Sequence, residues 1–234
     1  MTDTPPVVDS PKEFVSLEHP FPHLFAALHG RAPVRIVAMG SSSTAGRADV
    51  VPYPYRLEMY LRVQYQERFP DLSIDVLNRG RGGEEAVEEL PRFAKDIFAE
   101  NPALVLWQVG TNAVFHNYDL KAVAAAIAEG LDLLRARPLD VLLIDPQYVT
   151  AMLDDKADAS NWMVSSIADA AKAANVNLFR RWALMRHWHL DNGVALADML
   201  DPTDPDQLHQ NDWSTMEVAK ALCTAMTNVT AAMA

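Results

Sequence analysis

The sequence predicts an α/β fold, a three-layer α/β/α sandwich with a five-stranded parallel sheet. Short apolar runs alternate five times with longer segments in which apolar residues recur at helical spacing. This alternation is typical of a parallel sheet that is covered by helices on both faces. The chain has 234 residues, of which 50% are hydrophobic, and this is enough for one full core. We therefore expect residues 33–234 to form a single domain.

The predicted strands follow one another at the spacing of β-α-β units. The first begins at Val34 and runs toward Gly40, and the others span residues 73–77, 103–109, 139–144 and 176–179. The run at 103–109 is apolar almost throughout, as expected for a central strand. Predicted helices lie at about 53–69, 119–137, 156–174 and 212–232. Another, with Leu90, Phe93 and Ile97 on one face, follows the second strand, and Pro91 is expected to kink or restart it.

Residues 1–32 precede the first predicted strand and read as an N-terminal arm with one short helical piece at about 24–30. Four apolar residues in this arm indicate that it packs on the body of the domain: Phe14, Phe21, Phe25 and Leu28. The start of the chain lacks the basic and apolar pattern of a signal peptide. The cytoplasm is therefore the default location, and a secreted or periplasmic location stays open if a leader has been removed.

Composition excludes several classes of function. The net charge of -11 argues against nucleic acid or an anionic membrane surface as the main partner. The single cysteine, Cys223, rules out an internal disulfide and a cysteine-based metal cluster. No apolar run reaches the length of about 18 residues that a membrane span needs. The oligomeric state is left open by the sequence.

Chemistry-bearing residues follow the ends of successive predicted strands. Because the carboxyl ends of parallel strands meet at one edge, where open α/β sheets bind their ligands, we expect these residues to lie close together. They are Ser42, Gly83, Asn112, Tyr148, and beyond the fifth strand Asp206 with His209.

This set contains the parts of a nucleophilic hydrolase. The hydroxyl of Ser42 needs a base, which the imidazole of His209 provides near neutral pH. The carboxylate of Asp206, three residues before His209, is expected to orient the imidazole. An oxyanion needs donors, and the backbone N–H groups of Ser42 and Gly83 with the side-chain amide of Asn112 are suitable.

With these residues in place, the chain resembles the SGNH hydrolases, the GDSL-type esterase and lipase family, from about residue 33 to residue 230. The resemblance implies a flavodoxin-like sheet and metal-independent, cofactor-free hydrolysis of carboxylic esters by a Ser-His-Asp triad. The four ordered blocks that carry it are Gly40 to Ser42, Asn78 with Gly80 and Gly83, Gly110 to Asn112, and Asp206 with His209.

Two positions depart from the pattern of that family. Ser41 stands where an aspartate usually precedes the nucleophile, and Ala113 stands where an aspartate usually follows the asparagine of the third block. Neither position belongs to the triad, so the departures put in doubt only the bracing of the two loops. Ser41 and Ser43 also remain competitors of Ser42, although the register with Thr44 favours Ser42.

The substrate is the least defined part of the prediction. The sequence has no long apolar lid, which favours a short acyl group, and an acetyl group on a saccharide is our expectation. Tyr148, His116 and Arg81 are candidate substrate-binding residues. A lipase, a lysophospholipase or a thioesterase of the same family is the alternative.

Two further readings come from other classes of protein. The chain could be a non-catalytic carbohydrate-binding protein, because fold does not fix function. His187 and His189, with Asp191 nearby, could bind a metal if the segment were extended, since residues i and i+2 of a strand point the same way. A basic, aromatic surface helix explains the same run without a metal.

Overall fold

A computed structural model describes residues 5–47 and 49–233, and its centre is a five-stranded parallel sheet in the order β2-β1-β3-β4-β5. The predicted fold class is confirmed, with helices on both faces of the sheet. The strands are β1 (Val34–Met39), β2 (Ile74–Asn78), β3 (Leu104–Gln108), β4 (Asp140–Ile144) and β5 (Asn177–Phe179).

The strands lie where the apolar runs predicted them, with ends that differ by one or two residues. Every residue of β3 and β4 is buried, as expected for strands that are covered on both faces. Ile36 of β1 pairs with Leu104 of β3, which in turn pairs with Asp140 of β4. This register brings the ends of β1, β3 and β4 to the same edge.

Twelve α-helices surround the sheet in the described part of the chain. They are α1 (Lys12–Val15), α2 (Pro22–Leu28), α3 (Ser42–Ala45), α4 (Tyr53–Gln66), α5 (Ala86–Glu89), α6 (Phe93–Asp96), α7 (Thr111–Phe115), α8 (Leu120–Arg135), α9 (Ala157–Ala174), α10 (Arg181–Leu190), α11 (Leu196–Met199) and α12 (Asp212–Ala232). Helix α4 packs against α12, and α8 packs against α9. With right-handed crossovers, this strand order places the two pairs on opposite faces.

Local sequence explains where the main helices begin and break. Asp119 caps α8 by accepting the backbone N–H groups of Lys121 and Ala122, and Asn211 caps α12 through Ser214. The helix expected around Leu90, Phe93 and Ile97 is split into α5, a 3-10 turn and α6, because Pro91 lies in the turn between them. Within residues 5–47 and 49–233, every helix is too short or too polar to cross a bilayer.

The N-terminal arm lies against the body of the domain, although residues 1–4 are outside the described residues. Its residues Phe21, Leu24 and Leu28 are buried. The carboxylate of Asp140, at the start of β4, accepts the N–H of Leu24 at 2.8 Å. The amide of Asn177, at the start of β5, accepts two backbone N–H groups of the arm and donates to a carbonyl.

Candidate active site

Ser42 lies at the first position of α3, directly after β1, and its hydroxyl contacts an imidazole. The distance from Ser42 Oγ to Nε2 of His209 is 3.0 Å. His209 comes from the loop between α11 and α12, 167 residues further along the chain. The contact predicted between these two residues is therefore present.

The neighbouring serines are held by another group. Oε1 of Gln108, the last residue of β3, accepts the hydroxyls of Ser41 at 3.0 Å and Ser43 at 2.9 Å. The same oxygen accepts the backbone N–H of Ser41 at 3.2 Å. Of the three consecutive serines, Ser42 is thus the one whose hydroxyl contacts the histidine.

The loop after β2 lies directly against the serine turn. The amide of Asn78 donates to the carbonyl of Thr44 at 2.8 Å, and its oxygen accepts the N–H of Gly80 at 3.0 Å. A Cβ at Gly80 would lie 2.3 Å from the backbone nitrogen of Ala45, so only glycine fits this approach. The two loops therefore share one backbone-to-backbone contact that fixes the position of α3.

The carboxylate that contacts His209 belongs to Asp204, and this corrects the contact expected for Asp206. Oδ2 of Asp204 lies 2.8 Å from Nδ1 of His209 and also accepts the backbone N–H groups of Leu208 and His209. Asp206 is exposed. Gln207 has a φ of 51°, and this left-handed residue turns the chain so that Asp204 faces inward.

Arg47 completes the surroundings of Asp204. Its Nη1 lies 2.8 Å from Oδ1 of Asp204, whose side chain is only 1% exposed. Burial raises the pKa of Asp204, but the contacts with Arg47 and His209 outweigh it and hold that pKa well below its ordinary value. The carboxylate is therefore charged at neutral pH.

The charged carboxylate indicates which nitrogen of His209 carries the proton. A carboxylate accepts hydrogen bonds only, so we assign the hydrogen to Nδ1, which faces Asp204. Nε2 is then free to accept the proton of the Ser42 hydroxyl. Arg47 Nη1 also lies 2.8 Å from Nδ1, but in this tautomer both groups are donors, so the favourable contact of Arg47 is its ion pair with Oδ1 of Asp204.

The candidate oxyanion donors lie on three neighbouring loops, which carry Ser42, Gly83 and Asn112. A Cβ at Gly82 would lie 3.8 Å from Cβ of Ser42, so the 82–83 segment runs beside the serine. Gly83 follows with a φ of 82°. The amide of Asn112 donates one hydrogen to the carbonyl of Glu84 at 2.7 Å, which leaves its second hydrogen for another acceptor.

A buried network of side chains joins the loops behind the serine. Nε2 of Gln108 contacts the hydroxyl of Thr111 at 3.4 Å, which donates to Gln147 at 3.1 Å, and Gln147 donates to the carbonyl of Leu208 at 3.2 Å. The network thus connects the ends of β3 and β4 with the loop that carries His209. Sequence reasoning missed it, although a glutamine that ends an otherwise apolar strand was a usable signal.

The three candidate substrate-binding residues lie on the surface around this edge. Tyr148 is half-buried and packs edge-on against Trp182 with ring centroids 4.9 Å apart. His116 is exposed and stacks on Tyr118 at 5.5 Å. Arg81 is exposed and pairs with acidic side chains, Asp96 at 3.4 Å and Glu84 at 3.8 Å. Their role in binding stays a prediction.

The possible metal-binding run does not have the geometry it would need. His187 and His189 lie on helix α10, where residues i and i+2 point to different sides. His187 contacts Asp9 and Asp191, whereas Nδ1 of His189 contacts the carbonyl of Val194 at 2.8 Å. In the described residues, no cluster of three or more His, Cys, Asp or Glu side chains is arranged to hold a metal ion.

A small cavity of about 20 Å³ adjoins the serine and the histidine. This volume is about that of one water molecule. The residues around it are Ser42, Ser43, Gly46, Arg47, Val50, Pro52, His209, Gln210 and Thr215. The walls next to the serine are thus partly apolar and leave little room.

Solved structures with this fold include esterases that act on acetylated polysaccharides. An acetylxylan esterase from Geobacillus stearothermophilus matches with a TM-score of 0.67 and 18% identity, over 84% of this chain and 96% of that chain. A two-domain esterase active on acetylated mannans matches with a TM-score of 0.69 and 17% identity, over 88% of this chain and 52% of that chain. At these identities the likeness establishes the fold.

Sequence comparison places the chain in a family. No curated protein sequence matches it. The model of the non-GDSL lipase-like family matches residues 7–232, which is nearly the whole chain. The predicted resemblance to SGNH-type hydrolases is confirmed by this match together with the structural neighbours. The chain therefore belongs to the non-GDSL lipase-like family.

Proposed function

We propose that this protein is a serine esterase that removes short acyl groups, foremost acetyl groups, from saccharides. The observation that carries the proposal is the line of contacts from Ser42 Oγ to His209 Nε2 at 3.0 Å and from His209 Nδ1 to Asp204 at 2.8 Å. Nucleophile, base and orienting carboxylate at hydrogen-bond distance are the arrangement that activates a serine.

The reaction follows from this arrangement in two stages. Ser42 Oγ attacks the ester carbonyl while its proton moves to Nε2 of His209, and a tetrahedral oxyanion forms. The imidazolium then gives that proton to the leaving alcohol, which leaves an acyl group on Ser42. His209 next takes a proton from water, whose oxygen attacks the acyl group, and the acid departs as Ser42 recovers its proton.

The oxyanion is stabilised in this scheme by donors from three loops. They are the backbone N–H groups of Ser42 and Gly83 and the free hydrogen of the Asn112 amide. The N–H of Ser42 lies in the first turn of α3, where backbone donors have no partner within the helix. Each such donor typically stabilises the transition state by about 3 kcal/mol.

Two observations favour an acetyl ester of a saccharide as the substrate. The cavity beside Ser42 and His209 is small, at about 20 Å³, and has Val50 and Pro52 in its lining, which suits a short acyl group. The structural neighbours are esterases of acetylxylan and of acetylated mannans. The lipase, lysophospholipase and thioesterase alternatives are distinguished from this proposal by the series of esters below.

The choice of Asp204 as the orienting acid has one rival. In the acetylxylan esterase, the variants described as catalytic mutants replace a serine, an aspartate and a histidine, the last two three positions apart. Asp206 and His209 have the same spacing here. We nevertheless assign the role to Asp204, because its carboxylate is the one that contacts the imidazole.

The proposal is tested by labelling and by a series of esters. A fluorophosphonate probe should modify Ser42, located by peptide mass spectrometry. Turnover of p-nitrophenyl esters should fall steadily from acetyl to octanoyl, and the protein should release acetate from acetylated xylan or mannan. A rate that rises with acyl length would indicate a lipase. No label and no turnover would indicate a carbohydrate-binding protein on this fold.

A further inference from the structure

One buried carboxylate ties together the two loops that carry the proposed oxyanion donors. Glu85 is 2% exposed and directly precedes α5. Its Oε1 accepts the backbone N–H of Gly110 at 2.8 Å, and its Oε2 accepts the backbone N–H of Ala113 at 3.0 Å. These two donors belong to the turn after β3 that holds Asn112.

Helix α7 lacks a cap of its own, and Glu85 supplies one from another loop. The residue before α7 is Gly110, which has a φ of 91° and no side chain that could accept the first N–H groups. The N–H of Ala113, in the first turn, would be a buried donor without a partner if Glu85 were absent. Burial raises the pKa of Glu85, and the hydrogen bonds from the backbone N–H groups of Gly110 and Ala113 offset part of that rise.

A second contact runs between the same two segments. The amide of Asn112 donates to the carbonyl of Glu84 at 2.7 Å. Residues 84 and 85 therefore hold residues 110–113 through three hydrogen bonds, and Gly83 directly precedes them in the chain. The separation of the Gly83 N–H from the Asn112 amide depends on this set of bonds.

We propose that Glu85 is a positioning residue of the oxyanion site, which fixes the Asn112 loop relative to the Gly83 loop. The inference rests on the proposed esterase function, and it assigns Glu85 no contact with the substrate. It also bears on Ala113, where the pattern of the SGNH hydrolases has an aspartate: the bracing of this turn comes here from the facing loop.

Glu89 provides a matched control on the same helix. Its side chain is 0% exposed, and its Oε2 accepts the indole N–H of Trp107 and no backbone N–H of either loop. Burial raises the pKa of Glu89 well above its ordinary value, and the neighbouring Glu85 raises it further. Glu89→Gln therefore removes a buried carboxyl group four residues away and leaves the oxyanion loops untouched.

The experiment compares Glu85→Gln with Glu89→Gln and the wild type on an acetyl ester. Glutamine keeps the size of the side chain but turns an N–H₂ group toward one of the two loop donors. We expect Glu85→Gln to lower kcat about 10- to 100-fold with KM changed less than about twofold, because the loss is confined to the transition state. Glu89→Gln should change kcat less than about threefold, even if its Tm falls as much as the Tm of Glu85→Gln.

Coupling to Asn112 separates positioning from a general loss of stability. In an Asn112→Ala background, Glu85→Gln should cost much less in kcat than it does alone, since the donor that it positions is already gone. If Glu85→Gln does not fold, Glu85→Asp provides the same comparison with the carboxyl group retained and the reach shortened.

The inference is overturned if Glu85→Gln and Glu89→Gln affect kcat equally, or if the two effects at 85 and 112 simply multiply. A rise of KM with constant kcat would also overturn it. These outcomes are distinct from failure of the proposed function, in which the wild type itself shows neither ester turnover nor the fluorophosphonate label. In that case the inference about Glu85 falls with the function on which it rests.

Discussion

The carboxyl edge of the sheet holds Ser42 and His209 beside a cavity of about 20 Å³, whereas the amino edge holds two cavities of about 330 and 630 Å³. The first of these lies between the N-terminal arm and the starts of β4 and β5. The second lies beside the starts of β1 and β2. The larger spaces thus lie on the edge opposite the serine–histidine contact.

This difference shows that the large cavities and the catalytic contacts of this fold arise from separate features of the structure. The amino-edge cavities arise where the arm and a loop at 68–73 cover the sheet incompletely. The carboxyl edge is narrow because three loops converge on one serine and bond to each other. We therefore expect changes at the carboxyl edge to reduce turnover, whereas changes at the amino edge should affect stability and leave turnover intact.

Replacement of the proposed nucleophile should have the largest effect. Ser42→Ala should lower kcat/KM for an acetyl ester by at least about 10⁴-fold, with an unchanged Tm, because no other hydroxyl contacts His209 among the described residues. Ser43→Ala is the matched control and should retain activity within about tenfold, since Ser43 contacts Gln108 instead. Full activity of Ser42→Ala would refute the assignment of the active site to the carboxyl edge of the sheet.

Replacement of the two aspartates in the loop that carries His209 should lower kcat by very different factors. Asp204→Asn should lower kcat by about 10³- to 10⁴-fold, because the imidazole loses the group that fixes its tautomer. Asp206→Asn should stay within about threefold of the wild type, since its side chain is exposed. Steady-state kinetics of the two variants measure these losses. A larger loss of kcat in Asp206→Asn than in Asp204→Asn would assign the orienting role to Asp206.

Replacement of Arg47 should have a smaller effect on kcat and an effect on stability that depends on pH. Because the folded pKa of Asp204 is depressed, its contribution to stability is present above its ordinary pKa of 3.8 and is lost as the pH falls below that value. Without the ion pair, Asp204 takes up its proton at a higher pH, so Arg47→Gln should lose this stability at a higher pH than the wild type. The variant should also lower kcat about 10-fold.

The midpoint of acid unfolding and the kinetics at neutral pH measure the two effects of Arg47→Gln. Arg56→Gln is the control, because Arg56 pairs with a different carboxylate, that of Asp212. An acid midpoint that is the same in Arg47→Gln and in the wild type would contradict the assigned ion pair.

A change at the amino edge should leave turnover intact. Burial raises the pKa of Asp140 to about 6, so the folded state binds the proton more tightly than the unfolded state. Stability therefore falls as the pH rises from about 4 through about 6. Asp140→Asn should remove about 1 kcal/mol of this dependence between pH 5 and pH 8, a value reduced for partial solvent access.

Chemical denaturation of Asp140→Asn at the two pH values measures this effect, and the ester assay supplies the comparison. Asparagine still offers an oxygen to the N–H of Leu24, so the arm should stay in place. A loss of turnover above about threefold in this variant would show that the two edges are not independent.

The sheet could be predicted from sequence because buried parallel strands consist of continuous runs of apolar residues. Ser42 and His209 could be found because each follows a strand or loop in an order that the resemblance supplied. Asp204 could not, because spacing alone favoured Asp206, and the left-handed backbone at Gln207 decides which carboxylate faces inward. The cap that Glu85 places on α7 was equally hidden, since it joins residues 25 and 28 positions apart.

The arm also imposes an order on events during synthesis. Its partners are Asp140, Asn177 and, through the carbonyl of Asp9, the indole of Trp188, all in the second half of the chain. The ribosome therefore completes the arm long before it makes the residues that receive it. Helix α2 also packs on β1, which follows it at once, but the buried side chains Phe21 and Leu24 stay incompletely covered until β4 is made, which makes this segment one that a chaperone could protect.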